Sequence, residues 1–149
     1  MAVIDIARTN VVTVGPGESV AAVIRRMHGE AVGSVVVVDD EEPLGLVSDR
    51  DLAMAVLDET FDAEETDIVE VVDEETPTIE GDAGVYDLVE LLSQKGLRRV
   101  PVVEDGELAG IISLSDVVVL LGMELQHVGT AIRSSSPAYE RSGMEYYHD

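Results

Sequence analysis

The stretch GLVSDRD, Gly45 to Asp51, returns as GIISLSD, Gly110 to Asp116, with the same internal spacing and 65 residues between equivalent positions. A chain laid on itself at that offset matches along its length. Ile4-Asp5-Ile6 meets Val69-Glu70-Val71, Thr13-Val14 meets Thr78-Ile79, Val20 meets Val85, and Val35 to Val38 meets Val100 to Val103. Asp40, Gly45, Ser48 and Asp51 fall on Asp105, Gly110, Ser113 and Asp116 without a gap. Such register is the mark of a tandem duplication, so the fold must consist of two like units that stack and share a core. The first unit is expected over 3–60 and the second over 68–122, joined by an acidic linker around Asp58 to Asp67. A helical extension or tail follows over 123–149.

Each copy reads as strand, helix, strand, strand, helix. The β-branched run Val11 to Val14 precedes a Gly-Pro-Gly turn. A helix is then expected over about Ser19 to His28, with Val20, Val23, Ile24 and Met27 on one face. Ser34 to Val38 and Leu44 to Val47 are spaced for a hairpin, and in the second copy Asp105-Gly106 supplies a strong turn signal. A second helix begins at Ser48. Valine runs without alternation imply strands covered on both faces. About 60 residues bury too little apolar surface to be stable alone. The expected class is therefore α+β: two tandem β-α-β-β-α repeats packed sheet against sheet as a pseudo-twofold pair.

Charge narrows the partners. The 149 residues carry 31 acidic against 9 basic side chains, a formal net charge of −22. Nucleic acid and anionic membrane both require clustered Lys and Arg, so neither is an expected partner. Lys95 is the one lysine; this bias, with acids spread along the whole chain, resembles the proteins of salt-accumulating halophiles, whose cations screen self-repulsion. No apolar run reaches membrane-spanning length, and MAVIDIARTN lacks the features of a secretory signal, so a cytoplasmic protein is expected. Without cysteine, and with only the scattered His28, His127 and His148, a metal site is not expected. Neither a G-x-S-x-G elbow nor a glycine-rich phosphate loop is present, and no catalytic residue is assigned; the chain is not expected to be an enzyme.

The leads ARTNVVTVGPGESV and DEETPTIEGDAGV, the stretch GLRRVPVVEDG, and the endings GLVSDRDL and GIISLSDV together resemble a tandem pair of cystathionine-β-synthase (CBS) domains over nearly residues 3 to 122. The resemblance implies a regulatory module that takes adenosine-containing ligands in clefts between the paired domains. No cofactor is required, and an adenine nucleotide (AMP, ADP or ATP) acts as regulatory ligand, with S-adenosylmethionine or NAD as alternatives. It implies that the hydroxyl and carboxylate of the ending grip the ribose: Ser48 with Asp51, and Ser113 with Asp116. An ionised carboxylate can accept both ribose hydroxyl protons, and such charge-assisted bonds contribute roughly 1.5–3 kcal/mol. Strand backbone near Thr13 and Thr78 would read the adenine edge. Arg98 and Arg99 would meet phosphate, as would Arg50, whose counterpart in the second copy is Ser115. Gly33 and Ser34 stand where the arginine pair would be in the first copy, so the two clefts are not equivalent.

A different reading of the same motif stays open. Serine entering a helix with an acid three residues later is nearly a capping box, and a helix start alone would account for Ser48/Asp51 and Ser113/Asp116. The glycine of the motif is not required by capping. A ligand-free dimeric scaffold serving a separate effector enzyme or transporter is the alternative function. A homodimer is expected in either case, because Val117 to Leu121 and Leu52 to Leu57 leave more aliphatic surface than one pair can cover. Beyond Gly122 the helix from Ser115 is expected to continue through Arg133. Ser136-Pro137 then offers a new helix start before a segment holding Tyr139, Tyr146 and Tyr147.

Overall fold

The computed structural model describes residues 1–73 and 75–136, divided into a body Met1–Leu114 and a second unit from Ser115 onward. The helix start expected at Pro137 and the three tyrosines after it lie outside the described residues.

In the body each copy opens with a short 3-10 turn, Val3–Asp5 and Ile68–Glu70. The first copy continues as β1 (Thr13–Val14), α1 (Val20–Glu30), β2 (Ser34–Asp39), β3 (Glu42–Ser48) and α2 (Asp49–Ala55). The second continues as β4 (Ile79–Glu80), α3 (Val85–Lys95), β5 (Arg99–Glu104) and β6 (Glu107–Ser113). The second unit is described over one helix, α4 (Leu114–Ser135). Two three-stranded sheets result, ordered β1-β2-β3 and β4-β5-β6. In each, the first pair is parallel and the second antiparallel. Parallel neighbours require a crossover, which α1 and α3 provide. The duplication extends to irregularities: the ladder shifts between Val37 and Val38 and again between Val102 and Val103. Val35, Val36 and Val37 are fully buried, as their unalternated run implied. The opening strand is shorter than its sequence suggested, the ladder being confined to Thr13 and Val14 with one further bond from the Val36 N–H to the Val12 carbonyl.

Helix α1 starts on Ser19, whose hydroxyl accepts the Ala22 N–H at 3.1 Å, and buries Val20, Val23 and Met27 on one face. Its first N–H groups have no partner inside the helix. The acidic linker supplies them: Val20 donates to the Thr66 carbonyl at 2.9 Å and Ala21 to the Ala63 carbonyl at 2.8 Å. The linker is thus structural, and it lays Phe61 and Ala63 against the core.

What joins the copies is an exchange of their leading segments. Ile68 donates to the Glu18 carbonyl at 2.8 Å, and Ile68 and Val72 enter the first copy's core beside Val23, Val35, Val47 and Leu52. In return Val3 donates to the Ala83 carbonyl at 2.8 Å, Ile4 donates to Gly81 at 2.9 Å, and Arg8 and Ile111 exchange two backbone bonds of 2.9 Å. Val3 and Ile68 are completely buried, each burial being worth roughly 1.5–3 kcal/mol.

The exchange explains the glycine that capping left unexplained. A Cβ on Gly45 would lie 2.8 Å from the Asp73 carbonyl oxygen, and one on Gly110 would lie 2.8 Å from the Arg8 carbonyl oxygen. Each glycine lets the other copy's lead cross the strand at backbone distance. Gly45→Ala and Gly110→Ala should therefore each lower stability by about 1–3 kcal/mol through overpacking against backbone. Chemical denaturation in molar potassium chloride measures this, with Gly17→Ala, where a Cβ meets nothing within 4 Å, as the control.

Candidate functional site

Strand β3 ends at Ser48, which turns the chain into α2. Its hydroxyl accepts the Asp51 N–H at 3.2 Å and donates to Asp51 Oδ2 at 2.9 Å, while its own N–H donates to the same Oδ2 at 2.8 Å. This is a complete capping box, with aspartate in the place usual for Glu or Gln. Both carboxylate bonds fall on Oδ2, so the cap occupies one of the two oxygens of Asp51. The start of α2 is held in place by the Asp49 N–H, which donates to the Gly33 carbonyl at 2.9 Å. The repeat reproduces that bond as Leu114 N–H to the Arg98 carbonyl at 2.8 Å.

These two loops meet. Arg99 Nη1 donates to Ser34 Oγ at 3.0 Å, and the two residues are equivalents, 65 positions apart. Beside this contact lies a cleft of about 500 Å³ whose wall includes Ser48, Arg50, Asp51, Arg98 and Arg99. Asp49 and Asp73 also line it, so three of the chain's nine basic residues stand there among three carboxylates. In a molecule of net charge −22 this is a locally balanced surface. The other arginines of the first copy are engaged elsewhere: Arg25 pairs with Glu64, and Arg26 reaches the Thr13 carbonyl at 2.8 Å and Glu18 at 3.1 Å. Among the described residues, no carboxylate lies within salt-bridge distance of the Arg50 or Arg98 guanidinium, and neither has a side-chain hydrogen bond.

Five of the ten expected site residues are thereby brought together. Thr13 and Thr78 do not line this cleft; the Thr13 carbonyl is taken by Arg26, and Thr78 is exposed just before β4. Ser113 closes β6, while Ser115 and Asp116 stand in the first turn of α4, in the second unit, and the cleft is built without them. Two wall residues escaped the sequence reading, Asp73 and Thr76 of the second copy's lead. They form a tight turn: Asp73 Oδ1 accepts the Glu75 N–H at 2.9 Å, and the Thr76 hydroxyl donates to the Asp73 carbonyl at 2.6 Å. The offset pairs them with Arg8 and Val11, so repetition hid them, though Asp-x-x-Thr is itself a turn signal. A second hollow, of about 640 Å³ between α1 and α2, is lined mainly by aliphatics such as Ile24, Met27, Leu52 and Val56, with His28 and Asp49 at its polar side.

The family model for the CBS domain matches twice, at residues 3–58 and 66–122. This chain belongs to the CBS-domain family. Among CBS relatives, an uncharacterized protein of Methanopyrus kandleri is 33% identical over 116 residues, 76% of this chain and 59% of that protein. The chain thus spans little more than half the length of this relative. The CBS domain-containing protein YhcV of Bacillus subtilis is 29% identical over 132 residues, covering 89% of this chain and 93% of YhcV. The solved CBS-domain protein of Agrobacterium tumefaciens is 33% identical, with a TM-score of 0.70 over 80% of this chain and 98% of that one. A stretch of inosine-5′-monophosphate dehydrogenase from Halobacterium salinarum is also similar, at 30% identity, but covers only 25% of that enzyme. Among the described residues no helix is long and apolar enough to cross a membrane.

The capping box of this CBS pair has its own energetic consequence. Ser48→Ala removes the acceptor for the Asp51 N–H and should lower stability by about 1 kcal/mol. Thermal unfolding in molar salt would register it as a fall in midpoint without a change in the native far-ultraviolet spectrum.

Proposed function

We propose that this CBS pair is a regulatory ligand-sensing module whose cleft at Ser48, Arg50, Asp51, Arg98 and Arg99 takes an adenine nucleotide, AMP, ADP or ATP, and performs no catalysis. The convergence of these five side chains, from the end of β3, the start of α2 and the loop before β5, is the observation that carries the reading. Asp51 keeps Oδ1 outside the capping bonds, so capping a helix and accepting ribose hydroxyls are compatible tasks for one carboxylate. Three guanidiniums favour phosphate oxygens, and Arg binds phosphate in bidentate fashion. They also disfavour the sulfonium of S-adenosylmethionine. One structural neighbour, 21% identical, was solved as a CBS domain pair with 5′-methylthioadenosine and S-adenosyl-L-methionine. That ligand and NAD are therefore the comparison arms. The module works as a cytoplasmic homodimer through apolar surface at the end of α2 and the turn after it, where Met54, Val56 and Leu57 are exposed, and reports to a separate effector enzyme or transporter.

The capping box favours a second reading, a ligand-free scaffold in which Ser48 and Asp51 only start a helix. Titration calorimetry with AMP, ATP, S-adenosylmethionine and NAD in molar potassium chloride separates the two, since the scaffold binds none of them. In the sensor, Asp51→Ala weakens nucleotide binding about thirtyfold, roughly 2 kcal/mol, beyond any loss of folding stability. Arg98→Ala with Arg99→Ala should weaken ATP binding more than adenosine binding. An equal loss for both ligands would show that the arginines shape the cleft without touching phosphate.

A further inference from the structure

The cleft wall carries two carboxylates that the nucleotide reading leaves without a task. Asp49 and Asp73 line it together with Arg50, Arg98 and Arg99. Asp49 is held at both ends: its N–H donates to the Gly33 carbonyl at 2.9 Å, and its Oδ1 accepts the Arg50 backbone N–H at 2.8 Å. Its Oδ2 lies 3.4 Å from where a Cβ on Gly33 would stand, on the loop whose next residue, Ser34, is bound by Arg99. Asp73 is held in like manner, its Oδ1 accepting the Glu75 N–H at 2.9 Å. Each carboxylate thus commits one oxygen to a backbone N–H, and among the described residues neither forms an ion pair.

We propose that Asp49 and Asp73 set the phosphate number of the ligand, so that the cleft selects a nucleoside monophosphate over the di- and triphosphate. The inference rests on the nucleotide reading above and narrows it. With Asp51 given to the ribose, what remains in the wall is three arginines less two carboxylates, a charge of +1. A monophosphate brings roughly two negative charges at neutral pH, and each further phosphoryl group adds roughly one more. The arginines match the first phosphate, and every added charge then faces Asp49 or Asp73 at close quarters. Repulsion of the wrong ligand confers specificity as surely as attraction of the right one. Molar salt shortens the reach of electrostatics to about 3 Å, which screens the −22 of the chain as a whole but not carboxylates that a ligand touches. Selection in concentrated salt therefore has to come from groups in the wall.

Titration calorimetry of the full chain with AMP and ATP in molar potassium chloride, with a chelator removing divalent cations, tests this. AMP should bind about tenfold more tightly than ATP. Asp49→Asn keeps an oxygen acceptor for the Arg50 N–H and removes the charge; it should cut that preference to about threefold, chiefly by tightening ATP. Adding Asp73→Asn should level the two ligands. Glu90→Gln, exposed on α3, removes the same unit of charge outside the cleft and should leave the preference as it was. Should Asp49→Asn lose its native circular dichroism, Asp73→Asn alone should move the preference in the same direction. ATP bound as tightly as AMP by the wild type, or a preference that Glu90→Gln shifts as far as Asp49→Asn does, overturns the selection. So does ATP that overtakes AMP once magnesium is added and loses that gain in Asp49→Asn, since the carboxylates would then hold a cation instead of repelling phosphate. A wild type that binds neither nucleotide removes the sensor reading itself.

Discussion

Two backbone crossings hold this molecule together as one object. The Asp73 carbonyl lies over Gly45 and the Arg8 carbonyl over Gly110, each at a distance no side chain tolerates. Because the leads are exchanged, the first copy's core is closed by Ile68 and Val72 from the second, and neither copy is complete alone. Duplication here is not two beads on a string. Contacts such as Ile4 to Gly81 and Arg8 to Ile111 join parts far apart in sequence, which favours a cooperative transition of the whole body over stepwise folding of each copy.

The cleft is a by-product of that exchange. Ser48, Arg50 and Asp51 come from the first copy, Arg98 and Arg99 from the second, and Asp73 and Thr76 from the lead that crosses between them. A site assembled this way reports on the fit of the two copies to each other, because any shift of the Asp73 lead over Gly45 alters its wall. Coupling between ligand and shape needs a difference in affinity between two states. These residues of the wall come from three separate segments of the chain, an arrangement in which a relative shift of the segments changes the wall.

The sequence made the duplication, the order of elements and the hairpins readable, since all rest on local pattern: valine runs, a Gly-Pro-Gly turn, Asp105-Gly106. The α2 start was legible too, although its two meanings, cap and ribose clasp, could not be separated by spacing, and the geometry shows why. One carboxylate oxygen closes the cap and the other lies outside it. Asp73 and Thr76 were illegible because they depart from the repeat, and so was the role of the linker, whose carbonyls at Ala63 and Thr66 act through backbone. Nor did the offset reveal that positions 34 and 99 touch, for contact between equivalent positions is a property of the packing axis.

That last contact has a consequence for how such a molecule can differ from its ancestor. Residues that meet their own equivalents sit where a twofold axis would pass, and a perfectly repeated chain must place the same side chain there twice. Two arginines would face each other across a hydrogen-bond distance and repel; two serines would take the Arg99 cation out of the cleft wall. Arginine at 99 against serine at 34 resolves the conflict by abandoning equality at that point. The copies thus differ at the axis itself, and that difference gives the paired module a front and a back.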